Sequence, residues 1–218
     1  MSKVELKDIK CCKCGHPNKA LIVYSYFHRA YGHSNYYLSL RNIRNYPMKD
    51  PMIVRECPNC GYINPDLSED NGISMNFIKQ LTDEFAFKSE YCNLFYKYYI
   101  MLMMLGKYSN AYKILIDSLE ECDYLGDTQG ALFCMMKMIK VYDMLESHND
   151  NQKMIHLDSL RRLGLFSKTK AFAKEIVFSD VYLGDNIVSD VLKYQIYLAD
   201  NYKDGLYTIK DMREWLDS

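Results

Sequence analysis

The chain has 218 residues, 49% of them hydrophobic and 25% charged, with a net charge of −1. That length fits one or two domains and the composition excludes a disordered chain. Eight cysteines, four of them in paired C-x-x-C sequences and the rest scattered, speak for metal binding in a reducing compartment and against a secreted disulfide framework.

The opening MSKVELKDIK is charged and lacks the apolar stretch of a signal peptide. The longest apolar run, Tyr98 to Leu105, is far too short to span a bilayer. The expectation is a soluble, cytoplasmic protein with no membrane partner. Charge is distributed unevenly. Residues 1–65 carry ten Lys and Arg against four acids, a net +6, and residues 66–218 carry −7. A basic head on an acidic body suggests either two surfaces with different partners or halves that attract each other.

Cys11-Cys12-Lys13-Cys14-Gly15-His16 is the first C-x-x-C-Gly knuckle, and Cys57-Pro58-Asn59-Cys60-Gly61-Tyr62 is the second. Two thiolates two residues apart grip one tetrahedral ion only if the backbone turns sharply between them. Glycine after the second cysteine permits that turn, and Pro58 pre-sets it in the second knuckle. Together Cys11, Cys14, Cys57 and Cys60 supply four sulfurs and close the coordination sphere, the pattern of one structural Zn2+. Cys12 and His16 are competing ligands at the first knuckle. A thioredoxin-type redox motif would need a βαβ context that the sequence does not show.

Between the knuckles, Ala20 to Phe27 reads as a strand, with Tyr36 to Leu40 and Met52 to Arg55 as weaker ones. The zinc ion is expected to staple these short strands into a ribbon. Arg29, Arg41, Arg44, Lys49 and Arg55 alternate with Tyr24, Tyr26, Phe27, Tyr31, Tyr36, Tyr37 and Tyr46. Cations beside aromatic rings suit a single-stranded nucleic acid, so Arg29, Arg41, Arg44 and Arg55 are candidate contacts. The competing reading puts the tyrosines in a small core with arginines at its rim, and the missing RNP-like motif favours it.

Residues 63–72 (INPDLSEDNG) have the composition of a linker. The expected division is a zinc ribbon over 1–62, that linker, and a helical domain over 73–218. In the last, Tyr91, Leu94, Phe95, Tyr98, Leu102 and Leu105 fall on one helical stripe. Further stripes run from Ala111 to Cys122, Leu132 to Ile139 and Ile187 to Ala199. Gly106, Gly126, Gly164 and Gly184 stand where stripes stop, and Ser109, Asp127, Ser167 and Asp185 are the predicted N-caps after them. The short turns predict antiparallel helix pairs. Cys92, Cys122 and Cys134 read as small apolar residues, and the methionines at 101–104 and 135–138 as core or an adaptable groove.

An internal repeat is present. Leu105-Gly106-Lys107-Tyr108-Ser109 returns as Leu163-Gly164-Leu165-Phe166-Ser167, and Tyr124-Leu125-Gly126-Asp127 as Tyr182-Leu183-Gly184-Asp185. The offset of 58 residues suggests stacked helical units but departs from the 34-residue tetratricopeptide (TPR) period. The Leu105 to Ala111 corner looks like a TPR turn, and its second copy has Thr169 in place of Ala111.

The two knuckles, the spacer with strand character, the Cys57-Pro58-Asn59-Cys60-Gly61-Tyr62 sequence and the corner at 163–166 together resemble a bacterial family of unknown function, catalogued as domain of unknown function 2225. The resemblance implies a zinc head on TPR-like helices and no established activity. The Cys11-Cys12-Lys13-Cys14 knuckle departs from the Cys-Pro-x-Cys usual there.

The chain carries no G-x-G-x-x-G, P-loop, H-E-x-x-H or G-x-S-x-G sequence. The stripes, turns and knuckles together give an expected architecture that is mainly α, with a small zinc ribbon of short β-strands before a TPR-like antiparallel bundle. The expected function is a non-catalytic zinc scaffold binding a protein partner through its helices, with a nucleic-acid-binding regulator as the alternative.

Overall fold

The computed structural model describes residues 4–23, 36–41, 54–81, 85–178 and 186–218. It is mainly helical with two small antiparallel strand pairs near the N-terminus, as the periodicity predicts. The chain forms two compact units, Met1–Arg29 with Tyr46–Ala131 and Ala30–Asn45 with Leu132–Ser218. No described helix is long and apolar enough to cross a membrane.

In the first unit, β1 (Val4–Lys10) pairs with β2 (Pro17–Val23), placing Lys10 opposite Pro17. A second, shorter hairpin pairs β3 (Arg55–Glu56) with β4 (Ile63–Asn64), placing Glu56 opposite Ile63. The strand expected over 20–27 thus starts earlier, and its residues 24–27 lie outside the described residues. Residues 63–72 are no loose linker. They supply β4, and Ile63 and Leu67 are each 1% exposed. Burial of Leu67 fixes this stretch against the first knuckle, where the Cys12 N–H donates to the Leu67 carbonyl at 2.8 Å.

Three helices follow, α1 (Met75–Gln80), α2 (Glu90–Met104) and α3 (Tyr108–Leu125). Helix α3 buries its whole predicted stripe from Ala111 to Cys122, whereas α2 buries Cys92, Phe95, Tyr96, Tyr99, Met101 and Leu102, so that of its predicted stripe only Phe95 and Leu102 are buried and Tyr91, Leu94, Tyr98 and Leu105 are half-buried. The turn between α2 and α3 is only three residues long, so the pair runs as an αα-hairpin. Within it the Cys92 and Cys122 sulfurs lie 3.9 Å apart, and Cys92 also bonds the Ser118 carbonyl at 3.5 Å.

Helix α4 (Thr128–Tyr142) runs from the first unit into the second. There follow α5 (Asp150–Arg162), α6 (Phe166–Glu175), α7 (Asn186–Asp200) and α8 (Ile209–Leu216). Capping boxes open α5 (Asn149 with Gln152) and α8 (Thr208 with Asp211).

The repeated corners share their hydrogen bonds as well as their residues. Lys107 N–H donates to Leu102 O and Leu165 N–H to Leu160 O, each at 2.9 Å, and Gly106 and Gly164 have φ of 67° and 72°. Both are helix ends closed by a left-handed glycine. Ala111 and Thr169, which follow at the same spacing, are both fully buried. The 58-residue step therefore carries the α2–α3 turn onto the α5–α6 turn, three helices further on. Gly184 and Asp185, the end of the second copy, lie outside the described residues.

Two predicted N-caps do not form. Helices α3 and α6 start at Tyr108 and Phe166, one residue before Ser109 and Ser167. The N-cap positions fall on Lys107 and Leu165, the residues that follow the turn glycines, and neither makes a side-chain capping hydrogen bond. Asp127 does cap α4, accepting the Gly130 N–H at 3.1 Å.

The second unit buries Met154, Val188, Val191, Leu198, Ile209 and Met212 around Leu38. Residues 36–41 do not extend the ribbon as expected. They lie against the segment preceding α8, with Leu38 N–H donating to Tyr207 O and Ile209 N–H to Tyr36 O. The cause is Leu38, which is completely buried in that helical core.

Beneath this core lies a polar network. Arg161, 0% exposed, donates to Asp158 Oδ1 (2.8 Å), Gln195 Oε1 (2.6 Å) and the carbonyls of Lys203 and Gly205 (both 2.9 Å). Gln195 also donates to Asp158 Oδ1 at 3.1 Å. Burial opposes ionisation of Asp158, but Arg161, Arg162 and the Gln195 amide outweigh it and hold the carboxyl below its ordinary range.

Candidate metal centre

Each knuckle is the tip of a hairpin, six residues between two paired positions. In the first, Cys11 N–H donates to His16 O (2.9 Å) and Gly15 N–H to Cys11 O (2.8 Å). The second repeats this with Cys57 N–H to Tyr62 O and Gly61 N–H to Cys57 O, both 2.8 Å. The paired strands hold the ends of each tip, and the glycine N–H closes the turn inside it. Both cysteines of a knuckle are thereby aimed to the same side.

The four sulfurs meet. Cys11 Sγ lies 3.7 Å from Cys60 Sγ, and Cys14 Sγ 3.7 Å from Cys57 Sγ. All four lie within 4.8 Å of one another. Metal–sulfur bonds of about 2.3 Å in a tetrahedron give a sulfur–sulfur edge of about 3.8 Å. The four cysteines are thus positioned to hold one metal ion, with each knuckle giving half of the shell. Cys11 and Cys57 are buried, Cys60 is half-buried and Cys14 is exposed.

The surroundings treat the sulfurs unequally. Burial pushes the Cys60 thiol up to about 12 and raises Cys11 as well. A hydrogen bond from the Asn59 side chain, aided by the His16 backbone, pulls Cys14 down to about 6. The Asn18 amide donates to the His16 carbonyl at 2.9 Å and points at Cys57 Sγ from 4.0 Å. Burial thus holds Cys11 and Cys60 toward the thiol form despite these dipoles. A bound cation would oppose that effect, because thiolates are the metal-binding form.

The competing ligands separate from this group. Cys12 is exposed and its thiol donates to the Glu69 carbonyl at 3.3 Å. His16 contributes its carbonyl to the turn, and its ring is not among the four grouped residues. The stretch after the second knuckle braces both tips. Tyr62, fully buried, donates to Glu69 O at 2.7 Å and accepts the Asn71 N–H at 3.0 Å. Lys13 forms an ion pair with Asp70 and lies 5.6 Å from the Tyr62 ring centroid. Beside Cys60 opens a cleft of about 210 Å³, lined by Glu56, Ile63, Ile78, Lys79 and Lys97 among others. That is below the ~300–1,000 Å³ of drug-sized ligand sites.

Of the candidate nucleic-acid contacts, Arg41 is 5% exposed. Its Nε donates to Ser39 Oγ at 2.9 Å and its guanidinium lies 5.4 Å from the Tyr37 ring centroid. It belongs to the second unit's interior and does not face solvent as a phosphate contact must. Arg55 is half-buried and donates to the Pro65 carbonyl at 2.7 Å, bracing the β3–β4 hairpin. Arg29 and Arg44 lie outside the described residues.

Sequence reasoning missed the supporting residues Asn18, Asn59 and Tyr62. Asn59 sits inside the second knuckle and Tyr62 closes it, so position was the available signal. Nothing marked Asn18. Comparison with protein-family models, curated proteins and solved structures finds no match for this chain.

Proposed function

We propose that this chain is a non-catalytic zinc protein whose metal holds a small two-hairpin head and whose helices bind a protein partner. The observation that carries the metal half is the pair of 3.7 Å sulfur contacts joining one knuckle to the other. Zinc is the ion of choice because four thiolates at tetrahedral spacing suit a d¹⁰ dication without geometric demands. All four positions of such a shell would be filled by protein, leaving none for a substrate or an activated water. The reading of the metal as structural rests on that.

Two features support the partner-binding half. The α2–α3 and α5–α6 turns are alike, which fits a TPR-like construction of repeated helical hairpins. Large apolar side chains also stand in solvent on several helices, including Met104 (65%), Met136 (49%) and Tyr197 (41%). The nucleic-acid alternative is weakened by the burial of Arg41.

Elemental analysis of protein purified without added metal tests the metal half. One zinc per chain is expected in the wild type and none in Cys57→Ser, with most helical circular dichroism kept. A wild-type chain free of metal, or one loaded with iron, would overturn it. Affinity purification with mass spectrometry tests the rest. A specific, stoichiometric protein is expected, and recovery of nucleic acid alone would reverse the choice.

A further inference from the structure

The four sulfurs of the centre differ in access. Cys11 and Cys57 are 2% and 1% exposed, and Cys60 is half-buried. Cys14 is exposed. A buried sulfur of the other knuckle, Cys57 Sγ, lies 3.7 Å from it. The exposed thiol thus stands directly against a buried one placed to react with it. We propose that Cys14 is a site of oxidation by hydroperoxides, that Cys57 resolves it as a Cys14–Cys57 disulfide, and that the metal leaves as a result. This rests on the zinc reading above.

The chemistry closes in two steps. The Cys14 thiolate attacks one peroxide oxygen and breaks the O–O bond, giving a sulfenic acid at Cys14 and hydroxide, which takes a proton from solvent. The Cys57 thiolate then attacks the Cys14 sulfur and expels a second hydroxide, also protonated to water. Two thiolates lose two electrons, one hydrogen peroxide becomes two waters, and two protons are consumed. The two sulfurs must close from 3.7 Å to about 2.05 Å, a movement of two hairpin tips already facing each other. Cys11 and Cys60 alone would supply only half of a tetrahedral zinc shell, too few thiolates to retain the ion.

The other cysteines lack one part of this arrangement, including Cys60, which lies 3.7 Å from Cys11 across the same two knuckles but is half-buried where Cys14 is exposed. Cys12 is exposed, but its thiol donates to the Glu69 carbonyl and not to a second sulfur. Cys92 and Cys122 are paired at 3.9 Å, but both are buried. The hydrogen bond with Cys122, together with burial, raises the Cys92 thiol far above its ordinary value, so it stays protonated and unreactive. The new bond would join the same two knuckles as the metal did. The oxidised head therefore stays stapled, in contrast to a head that has merely lost its ion.

The test treats the zinc-loaded full-length chain with hydrogen peroxide, follows zinc release with a coloured chelator, and maps disulfides without reduction. Trypsin cuts after Lys13 and so puts Cys11 and Cys14 on different peptides, and fragmentation between Cys57 and Cys60 assigns the other end. The expected result is one zinc freed for each two thiols lost, with the Cys14–Cys57 link dominant. Cys12→Ser is expected to release zinc within twofold of the wild-type rate. A dominant Cys11–Cys14 or Cys57–Cys60 link, loss of reactivity in Cys12→Ser, or zinc and thiols both retained would overturn the proposal. A chain that carries no zinc before peroxide would instead overturn the metal reading, and the disulfide map of that metal-free protein would still decide between Cys57 and the other partners.

Discussion

Gly15 and Gly61 occupy the same place in two separate hairpins, with φ of 70° and 73°, and each donates its N–H to the carbonyl of its knuckle's first cysteine at 2.8 Å. A side chain is disfavoured there by backbone conformation and not by crowding. A Cβ on Gly15 would meet nothing within 4 Å, and one on Gly61 only Glu56 Oε1 at 3.6 Å.

The left-handed conformation costs a non-glycine residue about 1 kcal/mol. Gly61→Ala is therefore expected to weaken metal binding by about fivefold without abolishing it. Chelator competition measures this. An affinity equal to that of the wild type would show that the turn is not strained by a side chain.

Gly130 behaves in the opposite way. It lies in the first turn of α4, where alanine would ordinarily gain about 1 kcal/mol of helix propensity. A Cβ there would come within 2.5 Å of Asp127 Oδ2 and 2.9 Å of Cys122 Sγ. Gly130→Ala should displace the Asp127 cap and destabilise the protein by about 1–2 kcal/mol. A urea midpoint that rises in this variant would refute the argument.

Asp158 is the anion that allows Arg161 to be buried. Removing it in Asp158→Ala leaves the guanidinium in the interior with carbonyl and amide partners but no counter-charge. The expected loss is about 3–5 kcal/mol in chemical denaturation, far above that of a surface ion pair. Lys170 with Asp200 supplies the comparison, since both are exposed and Asp200→Ala should leave the denaturation midpoint almost unchanged.

Tyr142 lies between two imidazoles, with His148 and His156 each 3.9 Å from its ring centroid and within 22° of parallel. Burial lowers His156 to about 4, although Asp143 acts the other way. A folded value below the unfolded one means that the unfolded chain takes up the proton first. This contribution is intact above about pH 6.5 and is lost as pH falls through 4, by about 3 kcal/mol in all. Unfolding free energies measured from pH 7 to 4 should fall more steeply for the wild type than for His156→Phe. Parallel curves would contradict the assignment.

The sequence made the metal ligands and most helices legible because both have short-range signatures. A C-x-x-C-Gly knuckle specifies its own turn, and the stripe from Ala111 to Cys122 lies within one helix and is buried along its length. The errors fell where distant parts of the chain decide. Residues 63–72 look like a linker, yet Leu67 is buried and Tyr62 ties the segment down from outside it. Arg41 looks like a surface cation, but its neighbour Leu38 draws the segment into a helical core. Strand β1 was missed because its residues are mostly charged, and its pairing with β2 is a backbone matter.

Leu38 also limits how the chain can be divided. It sits between the two knuckles in sequence but fills the interior of the second unit, so the polypeptide visits that unit and returns before completing the first. A fragment starting after the second knuckle would keep every described helix and still carry a leucine-sized void among Met154, Val191 and Ile209. Neither half is a cassette that a single cut can liberate, and transplanting either one means carrying a piece of the other's stretch of chain along with it.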